Sequence, residues 1–162
     1  RLGVSVHLSI IGFGDKSVLT KIEDYIIKYA LNDKVAIMGR KAYKDIWETL
    51  LFSDAGILLD APIEANKYAV SNKMYEYMAA SLPVIASNLP GFKKVVERAE
   101  CGELVDPLSP EGIANGIHRL YQSDYRVKGK KGNQAFTANY CWESEVIKLY
   151  DMYDSLNGIG KK

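Results

Sequence analysis

A serine, an asparagine, a lysine and a glutamate open an otherwise apolar segment, Ser71-Asn72-Lys73-Met74-Tyr75-Glu76, and that combination suits a charged ligand. Residues three and four apart share a helix face, so Lys73 lies beside Glu76 and Tyr77 while Met74, Met78 and Ala79 turn toward a core. Ser71 or Asn72 is a fitting N-cap. The first turn behind it carries backbone N–H groups without intrahelical acceptors, pointing outward where phosphate oxygens can accept them. Lys73 adds a mobile positive charge. The plainer reading makes Asn72 only a cap and Lys73 with Glu76 a solvated intrahelical pair contributing ~0.2–0.5 kcal/mol. The residues alone leave both readings open.

Other chemistry-bearing patterns are weaker. Gly12-Phe13-Gly14-Asp15-Lys16-Ser17 supplies two glycines of a dinucleotide fingerprint, but Ser17 stands where the third belongs, so a tight turn after a strand is the favoured reading. Backbone approach to a sugar diphosphate needs the same lack of side chains. Arg40 and Lys41 follow a strand at Gly39, on the side of a parallel sheet where ligands bind. His7 and His118 have no partner at catalytic spacing, and no serine lies in a G-x-S-x-G elbow. Cys101 and Cys141 are far apart with no C-x-x-C pair, which indicates neither a zinc site nor a disulfide framework. No carboxylate cluster suggests a bound metal, and none is expected.

The elements that must position these residues alternate. Val4 to Ile11 reads as a strand ending in the glycine turn, and Lys16 to Ala30 as a helix with Val18, Leu19, Ile22, Ile26 and Tyr29 on one face. Val35 to Met38 is a second strand, and Tyr43, Ile46, Trp47 and Leu50 mark a second helix. Ala55 to Leu59 is a third strand, followed by a long loop to Val70 and the helix at Ser71. Leu82-Pro83-Val84-Ile85-Ala86 has no polar alternation and reads as a strand buried on both faces. A short helix is expected over Lys93 to Arg98 and a strand over Gly102 to Val105. Ser109-Pro110-Glu111 starts a helix with Ile113, Ile117, Leu120 and Tyr121 as its buried stripe. Two helices fill Asp124 to about Leu156, breaking near Tyr140-Cys141-Trp142-Glu143, and Gly158 to Lys162 is expected to fray. This alternation predicts an α/β fold, a doubly wound parallel sheet with ligands at the carboxyl ends of its strands.

At 162 residues the chain fits a single domain, with a formal net charge of +1 that argues against nonspecific attraction to nucleic acid or anionic membrane. No stretch reaches the about 18 consecutive apolar residues of a spanning helix, and nothing at the start resembles a signal peptide. A cytoplasmic protein is expected. Arg126, Lys128, Lys130 and Lys131 form a basic run best read as a solvated helix entrance, with a membrane or polyanion contact as the lesser reading.

The run from Asn72 through Glu76, Met78, Pro83 and Ile85 to Ser87 resembles the donor-site helix and strand of retaining, nucleotide-sugar-dependent glycosyltransferases with two Rossmann-like lobes, the GT-B fold, in the glycosyl transferase group 1 family. Leu8 to Gly14, Val35 to Gly39, Gly102 to Pro107, and Tyr140 with Trp142 and Tyr150 are similar to further parts of that family in order and spacing. The resemblance implies that Glu76 binds the ribose hydroxyls of a nucleoside diphosphate sugar. It implies that Val70, Ser71, Asn72 and Lys73 hold the diphosphate, that Gly12 and Gly14 lie in the family's glycine turn, and that the backbone at Gly39 and Arg40 lies near the base.

The family often carries an earlier glutamate for the transferred sugar, and the corresponding position here is Tyr68; Glu64 in the same loop is a candidate substitute, but a loop glutamate is more often simply solvated, which is the favoured reading. No cofactor beyond the donor is implied. Family donor lobes usually open with one more strand and a basic loop. The expected whole is therefore one nucleotide-sugar (donor) binding domain over 1–162, part of a larger two-lobed enzyme whose N-terminal lobe holds the acceptor, and inactive alone. The acceptor expected is a glycan or lipid-linked sugar in polysaccharide biosynthesis, with a peripheral contact of the full enzyme at the inner membrane surface kept as the lesser possibility. A sugar-nucleotide epimerase lobe of the same fold and a non-catalytic Rossmann-like interaction module are the alternatives.

Overall fold

The computed structural model describes residues 3–159, with side chains through Leu156. The chain divides into two compact units, Arg1–Phe52 and Ser53–Lys162. The first unit runs β1 (Leu8–Ile11), α1 (Lys16–Lys28), β2 (Val35–Gly39) and α2 (Tyr43–Leu51). Its strands pair in parallel, Leu8 opposite Val35, with a register shift between Ile10 and Ile11 that brings Ile11 opposite Gly39. β1 starts at Leu8 rather than Val4 because β2 offers no earlier partner: the Leu8 N–H donates to the Lys34 carbonyl at 2.8 Å, where the α1–β2 turn ends. On α1 the expected stripe narrows to Leu19, Ile22 and Ile26, while Val18 and Tyr29 are exposed. Among the described residues of this unit, Leu50 is the one hydrophobic side chain that is fully buried.

The second unit contains β3 (Gly56–Leu58), a 3-10 turn at Glu64–Asn66, α3 (Asn72–Ala79), β4 (Val84–Ser87), α4 (Pro90–Ala99), β5 (Gly102–Val105), α5 (Pro110–Gln122), α6 (Tyr125–Asn139) and α7 (Trp142–Ile159). β4 lies between β3 and β5, and all three are parallel. Every residue of β4 is buried, as its unbroken apolar run requires. Successive side chains alternate between faces: Val84 and Ala86 join Met74, Met78, Phe92 and Val96 in one cluster, while Ile85 joins Val105 and Leu120 in the other. The helices therefore cover both faces, and the described strands fall into a two-stranded and a three-stranded parallel sheet.

Two helix expectations change. α4 starts at Pro90, not Lys93, because proline suits the first helical position and Phe92 is needed in the core. On α5 Tyr121 is exposed, since Ile113, Ile117 and Leu120 alone meet Ile85 and Val105. Ser109 caps α5 as its sequence implies, accepting from the Gly112 N–H at 2.9 Å. Of the expected frayed end, Gly158 and Ile159 continue α7, and Gly160, Lys161 and Lys162 lie outside the described residues.

Candidate functional site

α3 starts where the long loop after β3 ends, and its first turn decides what the site can hold. Ser71 is the N-cap: its Oγ accepts from the Lys73 N–H at a long 3.4 Å, and its carbonyl takes the Met74 N–H at 2.9 Å. Asn72 is therefore the first helical residue and not the cap. Among the described residues the backbone N–H groups of Val70, Ser71 and Asn72 have no acceptor. Consecutive free donors at a helix start, with the positive end of its dipole, make an anion cradle. Lys73 is exposed and Glu76 half-buried one turn on. They form no ion pair with each other or with any described residue, so the solvated intrahelical pair is absent. A free cation beside free amides can donate to phosphate oxygens, while the free carboxylate of Glu76 a turn away can only accept, from hydroxyls or amides.

The core fixes this helix in place. Met74 and Met78 are fully buried, and the Tyr77 ring lies so close to Gly56 that a Cβ there would sit 2.1 Å from it. Burial, then the neighbouring Glu76 charge, raises the Tyr77 hydroxyl above its ordinary pKa, so it stays neutral. Tyr75 packs on Tyr140 with ring centroids 5.2 Å apart, and burial first, then Tyr140 and Glu145, raises its pKa too. At the far end of α3 the Asn133 amide donates to the Ala79 carbonyl at 2.8 Å.

The loop ahead of α3 is held by two residues whose types gave little warning. Ser87, at the end of β4 and fully buried, donates to the Asp60 carbonyl at 2.8 Å, and Gly91 in the first turn of α4 donates its N–H to the Lys67 carbonyl at 3.0 Å. Gly91 is also close to the loop backbone: a Cβ would lie 2.7 Å from the Ala69 carbonyl oxygen. A serine closing an apolar strand and a glycine after Pro90 were the available signals. Tyr68 is 74% exposed with the Lys67 ammonium 5.6 Å from its ring centroid, and Glu64 pairs with Lys67 at 3.6 Å on the surface.

In the first unit Gly12, Gly14, Gly39 and Arg40 gather at the carboxyl ends of β1 and β2. The Gly12 N–H donates to the Gly39 carbonyl at 2.9 Å, and the two residues have φ of 148° and 64°, which favour glycine. The Arg40 guanidinium lies 5.1 Å from the Phe13 ring centroid. The remaining candidates are quiet. Among the described residues His118 Nδ1 is buried without a partner, Cys101 and Cys141 form no disulfide, and burial pushes the Cys101 thiol pKa up to about 11. Among the described residues no His, Cys, Asp or Glu group has metal-site geometry, and no helix is long and apolar enough to cross a membrane.

Residues 1–140 match the family described as Glycosyl transferases group 1. The chain belongs to that family. It is 25% identical over 146 residues to an uncharacterized glycosyltransferase of Methanocaldococcus jannaschii, covering 89% of this chain and 40% of that protein. It is 30% identical over 94 residues to a phosphatidyl-myo-inositol mannosyltransferase of Mycobacterium tuberculosis, covering 55% of this chain and 25% of that protein. The chain thus spans less than half the length of these relatives. Sucrose-phosphate synthase from Thermosynechococcus elongatus superposes with a TM-score of 0.78 at 24% identity, over 95% of this chain and 39% of that one. Anabaena HepE in complex with UDP superposes with a TM-score of 0.80 at 18% identity, over 93% of this chain and 41% of that one. Together the family match and the shared fold identify a Rossmann-like lobe of a GT-B glycosyltransferase, built on parallel strands.

Proposed function

We propose that this chain is the donor-binding lobe of a retaining glycosyltransferase and takes a nucleoside diphosphate sugar at the start of α3. The observation that carries the reading is the run of free N–H groups at Val70, Ser71 and Asn72, with Lys73 and Glu76 unpaired beside it. In this reading the amides and Lys73 receive the diphosphate and Glu76 accepts from the ribose hydroxyls. Those contacts strengthen as the nucleoside diphosphate departs with its full charge, which is the main catalytic need of sugar transfer. The acceptor hydroxyl comes from a second lobe, so the chain alone binds donor without completing transfer. For the first unit, contact of the Gly39 and Arg40 backbone with a base, and of the Gly12 to Gly14 turn with phosphate, is proposed separately and read at its own amides.

Titration of the chain with UDP, GDP and ADP and their sugars, followed by amide chemical shifts and melting temperature, is the test. The expected result is a shift of residues 70–76 by one nucleotide class and a raised Tm. If all of them leave those amides and the Tm unmoved, the donor reading is wrong for this chain. An interaction module without nucleotide predicts that outcome.

A further inference from the structure

The far end of the same sheet carries a different polar site. A groove of about 340 Å³ opens at the amino ends of β3 and β4, among Asp54, Ser81, Pro83 and the first turns of α6 with Tyr125, Arg126 and Lys130. It exists because α6 comes unusually close to the turn after α3: a Cβ on Gly129 would lie 2.0 Å from the Ser81 carbonyl oxygen and 3.2 Å from Pro83 Cδ. The strands separate it from the start of α3, which belongs to their carboxyl ends.

The charge pattern there is unfavourable to folding. Arg126, Lys128, Lys130 and Lys131 fall in the first two turns of α6, where cations oppose the helix dipole, while the Asp124 N-cap, accepting from the Val127 N–H at 3.2 Å, supplies a carboxylate at that helix start. Arg126 and Lys130 stand four apart, a like-charge spacing that destabilises a helix. The negative end of α3 nearby offsets part of this. Lys128 and Lys131 are answered by Glu103 and Glu100, but Arg126 and Lys130 have no acidic partner within salt-bridge distance among the described residues. These two cations without an acidic partner are the two that line the groove, Arg126 with its guanidinium 5.8 Å from the Tyr125 ring centroid.

The remaining lining is complementary to a carbohydrate. Asp54 accepts from the Tyr125 hydroxyl at 3.4 Å, its other oxygen has no partner among the described residues, and Ser81 adds a hydroxyl. Leu82 and Pro83 supply an apolar wall of the kind that carries the C–H face of a sugar, adjoining the Tyr125 ring under Arg126. A bare anion would gain nothing from Asp54. We propose that this groove is a second ligand site, taking a phosphorylated polyol whose phosphate meets Arg126 and Lys130 and whose hydroxyls meet Asp54 and Ser81.

Amide shifts of the chain are followed on addition of glucose-6-phosphate, inorganic phosphate and glucose, each to about 10 mM, beyond the ~1 mM range of a weak site. Glucose-6-phosphate is expected to move residues 53–54, 81–82 and 125–130 and to leave 70–76 in place, with glucose inert and phosphate weaker. Arg126→Gln with Lys130→Gln is expected to lower that affinity about tenfold or more while UDP binding is retained, since two charge-assisted contacts are lost. Both side chains are exposed, so the variant keeps its fold, which the dispersion of its amide spectrum checks. Asp54→Asn is expected to narrow the preference for glucose-6-phosphate over phosphate. Co-sedimentation with phosphatidylcholine vesicles doped with phosphatidylglycerol, lost in the double variant, assigns the source to a lipid headgroup; its absence alongside glucose-6-phosphate binding assigns it to a free sugar phosphate. Unmoved groove amides, equal response to phosphate and glucose-6-phosphate, or shifts confined to 70–76 overturn the proposal.

Discussion

Replacing Gly91 with alanine tests whether the loop ahead of α3 is seated by close approach of backbone to backbone. The added Cβ would meet the Ala69 carbonyl oxygen at 2.7 Å and the Tyr68 carbonyl carbon and oxygen at 2.9 Å each. None of these is the flexible end of a side chain, so relief requires the loop to lift or α4 to shift. Alanine is the better helix former, by up to about 1 kcal/mol in a helix interior and less near its start. Overpacking a tight site costs typically 1–3 kcal/mol, and lifting the loop also weakens the Gly91 N–H bond to Lys67, worth about 0.5–1.5 kcal/mol. The clash outweighs the propensity gain, and a net loss of about 1–2 kcal/mol is expected. Urea unfolding measures it as a lower midpoint at unchanged slope. Because Val70 and Ser71 continue the same loop, their amide shifts move as well and nucleotide affinity falls with them. A Gly91→Ala chain as stable as the original, with the Tyr68 to Ser71 shifts unaltered, would refute the seating.

Glu76→Ala should lower nucleotide affinity by ~1.5–3 kcal/mol, the worth of hydrogen bonds to a charged group, without lowering the urea midpoint, because Glu76 has no ion-pair partner among the described residues to lose; calorimetry beside unfolding separates the two. Ser87→Ala should cost about 1–3 kcal/mol of stability, since it strips the Asp60 carbonyl of its donor inside the fold, and an unchanged melting curve would count against that bond. Burial pushes the Glu103 carboxyl up, but hydrogen bonds from Lys128 and Arg119, both at 2.9 Å, and their charges outweigh it and hold it below its ordinary value. A depressed folded pKa gives stability that is present above the unfolded value and lost as pH falls through the folded one. Glu103→Gln should therefore be destabilising near neutral pH, with the difference closing in acid; a penalty independent of pH would exclude the charge as its source.

The sequence by itself determined the local layer of this protein. Apolar spacing placed the helices and strands in order, the unbroken run from Leu82 to Ala86 marked the strand buried on both faces, and Ser109 was legible as a cap, with Ser71 or Asn72 as the cap of α3, because a cap bonds only two or three residues away. The motif around Asn72 to Glu76 pointed to the family for the same reason: its residues are neighbours on one helix. What lies across space was decided by the tertiary structure. Periodicity could not tell that Lys73 and Glu76 stay apart, since an i,i+3 spacing permits a pair without requiring one. It could not show Ser87 holding Asp60, Gly91 beneath Ala69, or which two of the four α6 cations find acids, because each contact joins elements that the chain connects only through long intervening segments. The helix start that offers free amides was readable from residue types, and the loop geometry that keeps those amides free was not, because it depends on a buried serine and a glycine whose partners are set by packing.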